Sequence, residues 1–119
     1  MAKNLQITVL LDFYGEMLTD RQRELVESYY NDDLSLSEIS EERGITRQGV
    51  RDAIKRSEQQ LIEMEERLGL AKRFKMVQDA LTEICDCALK IKSINNGENP
   101  EIDENAMEII AAAAELVEE

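Results

Sequence analysis

Five side chains near the middle of the chain, Arg47, Gln48, Arg51, Lys55 and Arg56, have the chemistry of a nucleic-acid or partner contact. The planar fork of Arg matches guanine or phosphate, the amide of Gln pairs with adenine, and Lys supplies a compact cation for a phosphate. Arg47, Arg51 and Lys55 recur every four residues, so on a helix they form one stripe opposite Val50 and Ile54. Between Thr46 and Ser57 four basic side chains meet only Asp52, a local net charge of +3 in a chain whose formal net charge is −12. A solvated face of an amphipathic helix carries the same kind of stripe. Gly49 also costs about 1 kcal/mol of helix propensity inside this segment. The acidic remainder opposes approach to a polyanion, so tight nonspecific DNA affinity is not expected.

Other chemistries lack their residues. The 119 residues include no His, which removes Ser/His and Cys/His nucleophilic pairs, His-ligated metals and a histidine pH switch. Cys85 and Cys87, the only cysteines, point to different sides of a helix and read as free, structural thiols in a reducing compartment. Neighbouring carboxylates such as Glu41-Glu42 and Glu65-Glu66 diverge on a helix, and no Gly-rich phosphate loop occurs. No catalytic residue, metal site or cofactor is therefore expected. Without a basic, apolar leader or a stretch of about 18 apolar residues, the reading is a cytoplasmic protein that does not insert into membranes.

The elements that would position the basic side chains follow from apolar spacing and end signals. Ile7, Leu10, Leu11 and Tyr14 predict a first helix over about Lys3–Tyr14, stopped at Gly15. Thr19 with Gln22, and Ser35 with Glu38, are capping boxes for helices over Asp20–Tyr30 and Leu36–Arg43. Gly44 ends the latter, and Thr46 caps a long helix over Arg47–Leu68, whose seam is Val50, Ile54, Ser57, Leu61, Met64 and Leu68. After Gly69, the residues Leu70, Phe74, Val77, Leu81, Ile84, Ala88 and Ile91 alternate spacings of four and three. Asn95-Asn96-Gly97 and Asn99-Pro100 predict a turn, followed by a last helix over about Asp103–Val117. No segment alternates with period two, so the fold class is all-α.

The charge is unevenly divided. Residues 75–119 hold 3 basic and 11 acidic residues, against 11 and 15 in residues 1–74. The chain thus reads as a helix-turn-helix domain over 1–68, with the motif itself about 35–56, and an acidic helical hairpin over 69–119. Two long amphipathic helices in so short a chain predict a homodimer through the hairpin, whose two seams are expected to bury each other.

The run Leu18-Thr19-Asp20-Arg21-Gln22 and the continuous segment from Leu34 to Asp52 resemble region 4 of bacterial sigma factors, in which a helix-turn-helix reads promoter DNA. Gly49 departs from that pattern, where a long polar residue is common. Nearly the whole chain, including Leu10-Leu11-Asp12-Phe13-Tyr14 and Gly69-Leu70, more closely resembles the YlxM family of small helix-turn-helix proteins of Gram-positive bacteria. The resemblance implies a sigma region 4-like fold with Arg47, Gln48 and Arg51 reading bases or phosphates, and Lys55 and Arg56 on the backbone. Because family members are usually encoded beside components of the signal recognition particle, it also implies a regulatory or accessory role in protein targeting, with a protein or RNA component of that particle as partner. The competing class is a sequence-specific DNA-binding regulator.

Overall fold

The computed structural model describes residues 1–118, with side chains through Val117. Six α-helices follow in order: α1 (Gln6–Tyr14), α2 (Asp20–Tyr30), α3 (Leu36–Arg43), α4 (Arg47–Leu68), α5 (Leu70–Asn95) and α6 (Pro100–Glu118), with a 3-10 turn over Gly15–Met17. No strand occurs among the described residues. The chain is all-α, and it divides into two compact units, Met1–Ala71 and the part from Lys72 on.

Local chemistry explains most boundaries. Thr19 and Ser35 each accept a hydrogen bond from the N–H three residues on, while Gln22 and Glu38 reach back to the cap residue. Gly44 (φ 67°) and Gly69 (φ 64°) close α3 and α4 in the left-handed region, where a side chain would be strained. Two starts differ from expectation. The first helix begins at Gln6 because Asn4 caps it, its side chain accepting from the Gln6 N–H and its carbonyl from Ile7. The last begins at Pro100, whose missing N–H costs nothing in a first helical turn, with Asn99 Oδ1 accepting from the Glu101 N–H.

The first unit is packed around fully buried side chains. Ile7, Leu10, Tyr14, Val26 and Leu61 form one cluster, and Leu25, Ile39, Val50 and Ile54 form another under the helix-turn-helix. Ser57 fills the gap in the α4 seam and donates its hydroxyl to the Ala53 carbonyl at 2.9 Å. Polar groups tie the elements at two places. Tyr30 donates to the buried Glu58 at 2.6 Å and accepts from the Asn4 N–H; burial, then this hydrogen bond, pushes its hydroxyl up to about 12. Tyr14 donates to Glu65 at 2.7 Å and accepts from the Leu70 N–H, while Glu65 also accepts from the Ala71 N–H. Those two groups satisfy the first free donors of α5.

In the second unit, Asn95 organises the turn. It donates to the Asn99 carbonyl and to Asp103, both at 2.8 Å, and accepts from the Asn99 N–H. The two helices meet through small residues: Ala88, Ala106 and Ala113 are buried, and Cys85 Sγ lies 4.0 Å from the Ile110 carbonyl. The two seams bury each other only in part, through their alanines. Ile84, Ile91, Ile102, Ile109 and Leu116 all remain 41–53% exposed, because alanine-to-alanine contact brings the helices together with the larger side chains splayed to the side.

Candidate nucleic-acid interface

The helix-turn-helix is assembled by its own turn. Gly44 and Ile45 both donate backbone N–H groups to the Ser40 carbonyl, and the Ser40 hydroxyl donates back to the Ile45 carbonyl. Ile39 and Val50 meet in the buried cluster beneath, with Ile45 packed against it. α4 therefore leaves the turn with its outer face in solvent, and Arg47, Gln48, Arg51, Lys55 and Arg56 are all exposed.

The structure sorts these five into three places. Arg47, Gln48 and Arg51 converge on one groove where the starts of α3 and α4 meet, with Leu36 and Met1 as its apolar side. Gln48 is held within it: its side-chain N–H donates to Asp52 at 2.9 Å, leaving the carbonyl and a second N–H for a ligand. Arg56 lies in a different groove, between α2 and α4, together with Arg21, Gln22, Gly49 and Asp52. Lys55 belongs to neither and lies 3.9 Å from Glu58 as an ion pair.

Arg21 is the member that the sequence reading missed. It stands 35 positions before Arg56, in the run Leu18–Gln22 that resembles sigma region 4 but with no role implied for it there; only the packing of α2 on α4 brings the two guanidinium groups to one groove. Among the described residues, Arg23, Arg43 and Lys3 are ion-paired, to Asp20 and Glu27, to Glu24 and to Asp33. Arg21, Arg47, Arg51 and Arg56 have no carboxylate within 4.0 Å among those residues, and all four are exposed.

Gly49 acquires a structural reason. Thr46 Oγ1 accepts from the Gly49 N–H at 2.9 Å, and a Cβ on residue 49 would sit 3.0 Å from that same oxygen. The glycine keeps the α4 cap tight and leaves bare backbone in the Arg21–Arg56 groove. What looked from spacing alone like a defect in the reading helix is an opening in its surface.

A short helix-turn-helix under a buried core, with unpaired guanidinium groups on both flanks of its second helix, defines a helix-turn-helix protein. The chain belongs to the family described as "Putative helix-turn-helix protein, YlxM / p13 like", which matches residues 1–99. UPF0122 proteins are similar along much of their length. One from Desulforamulus reducens is 43% identical over 96 residues, covering 81% of this chain and 80% of the relative. One from Caldanaerobacter subterraneus is 51% identical over 83 residues, covering 70% and 71%. One from a Thermoanaerobacter species is 44% identical over 115 residues, covering 97% and 93%. This membership supports a regulatory, DNA-binding-like role and suggests a non-enzymatic protein. No described helix is long and apolar enough to cross a membrane.

Proposed function

We propose that the protein is a regulatory factor that reads duplex DNA with the N-terminal half of α4. Arg47, Gln48 and Arg51 face base edges from one groove, and Arg21 and Arg56 hold the phosphate backbone from the other. The observation that carries this reading is the placement of four guanidinium groups, none paired to a carboxylate among the described residues, on the two flanks of one helix. A major groove about 12 Å wide admits that helix, and flanking cations then meet the phosphates on either side. Lys55 is a weaker contributor, because Glu58 already draws its ammonium inward.

The net charge of −12 restricts this activity to local contact. Nonspecific affinity is low, and recognition depends on the few side chains that reach bases. The finer reading is a cytoplasmic homodimer, joined through the C-terminal hairpin, that serves protein targeting; the resemblance to the YlxM family supports that link, with a signal recognition particle component as the alternative partner. Selection from a pool of genomic duplexes tests the function. Specific sites should be recovered, and Arg47→Ala or Arg51→Ala should each lower affinity for them roughly 5- to 150-fold. Recovery of no duplex, with signal recognition particle RNA or protein bound instead, overturns the DNA reading.

A further inference from the structure

The C-terminal unit leaves a continuous apolar face uncovered. On α5, Val77, Ile84 and Ile91 recur every seven residues and are 45–47% exposed; on α6, Ile102, Ile109 and Leu116 do the same and are 41–53% exposed. Ile84, Ile91 and Ile109 line one open groove with Ala80 and Cys87, so the two rows lie on the same side of the hairpin. Half-exposure repeated at heptad spacing is the pattern of core positions in a four-helix bundle, seen from the half that is present. The two helices are joined along their mutual contact by buried alanines, Ala88, Ala106 and Ala113, which supply little apolar area.

We propose that a second copy of the chain covers this face, packed so that α6 of each copy lies along α5 of the other. This rests on the homodimer reading above and specifies its interface and arrangement. Size supports it. Two helices about 20 residues long present a face of roughly 30 Å by roughly 20 Å, about 600 Å² per copy. The resulting total of about 1,200 Å² is at the lower edge of specific interfaces.

Charge selects the arrangement. Over the stretch level with α6, residues 77–95, α5 carries two basic and three acidic residues and is close to neutral, whereas α6 carries six acidic residues and no basic one. Glu101, Glu108 and Glu115 recur every seven residues along the edge of α6 beyond its apolar row, whereas the corresponding edge of α5 carries one charge of each sign, Glu83 and Lys90. Laying α6 on the partner's α6 would set two rows of glutamates against each other. Laying it on the partner's α5 sets those glutamates against a nearly neutral helix instead, which avoids most of that repulsion. The symmetry axis then runs parallel to the helices, every neighbouring pair is antiparallel, and the interface is self-complementary.

The arrangement makes a positional prediction. Cys85 is level with Ile110 across the hairpin. With the axis parallel to the helices, the exposed Cys87 of one copy therefore stands within about one turn of Asn105 on the partner's α6. The full-length protein is measured without nucleic acid by light scattering on a sizing column and by mild oxidation. Wild type should have the mass of two chains, and Ile84→Glu/Ile109→Glu should weaken association at least about 100-fold while keeping wild-type helicity. In a Cys85→Ser background, Asn105→Cys should give a covalent dimer through Cys87, whereas Cys87 as the sole thiol should give none. A wild-type monomer overturns both the dimer and its arrangement. A dimer by mass in which Cys87 alone cross-links, or the Asn105→Cys variant does not, overturns the arrangement only. If the double Glu variant loses helicity, the cross-linking pattern decides. The outcome of DNA selection affects none of these readings.

Discussion

The two units of this chain use similar amphipathic helices to opposite ends. In the first, α1 to α4 turn Ile, Leu, Val and Tyr side chains into two closed clusters, where Ile7, Val26, Val50, Ile54 and Leu61 have no accessible surface. In the second, α5 and α6 repeat the same periodicity and bury three alanines and an asparagine, leaving their isoleucines half in solvent. Apolar periodicity therefore shows where a face is; the number of helices that converge on it decides whether the face is a core or an interface. Four converging helices close the cores of the first unit and carry the basic surface of α4, whereas two leave the second with an apolar face in solvent, the face that the proposed second copy would cover.

The largest test of this contrast is truncation in each unit. Ile54→Ala, at a site with no accessible surface, should cost about 2–5 kcal/mol in chemical denaturation. Ile109→Ala, 41% exposed, should cost the dissociated chain much less and act mainly by weakening association, so that the loss in melting temperature varies with protein concentration. Equal, concentration-independent losses at the two sites would break the comparison. Next is the cap of the reading helix: Thr46→Ala removes the acceptor for the Gly49 N–H and should cost about 1 kcal/mol by thermal melting, with the hairpin's helicity unchanged.

A third test uses pH. Tyr30 has its hydroxyl raised from 10.0 to about 12 by burial and by the hydrogen bond to Glu58. A group with a raised folded-state value stabilises fully below its unfolded value, so this contribution is intact up to about pH 10 and is lost as pH rises through about 12. Denaturation across that window should show the first unit weakening, and Tyr30→Phe should flatten the change. The smallest effect belongs to the surface. Asp33 is held below the usual carboxylate range by Lys3 at 2.6 Å, so its pairing contributes above that range and fades as pH falls. Asp33→Asn, which tolerates the local φ of 55°, should barely move the melting temperature at neutral pH.

How much of this was legible in advance depended on the range of the forces involved. The starts of α2, α3 and α4 follow from side chains that bond backbone groups three residues away, so Thr19, Ser35 and Thr46 could be read directly. The start of α6 was misread because Pro100 suggests a break, although proline is well suited to a first helical turn. The tie from Gln48 to Asp52 and the pair of Lys55 with Glu58 sit at helical spacings and could have been found. Arg21 could not, since its nearness to Arg56 arises only when α2 packs on α4. An apolar surplus on the hairpin was expected from its two long amphipathic helices, but heptad spacing does not say which seam residues make the contact, alanines, and which stay outside, isoleucines.

On the proposed function, the guanidinium groups flanking α4 neutralise phosphates while the helix reads a site. The most direct test of this is the affinity for a selected duplex, measured by fluorescence anisotropy over a range of NaCl concentrations, for wild type, Arg21→Ala/Arg56→Ala and a variant of an ion-paired arginine, Arg43→Ala. The Arg21→Ala/Arg56→Ala protein should bind more weakly, and its plot of log affinity against log salt should be shallower by about two. Arg43→Ala, whose partner is Glu24 at 2.9 Å, should keep the wild-type slope. An unchanged slope in the first variant, or an equal loss in the second, would contradict the claim.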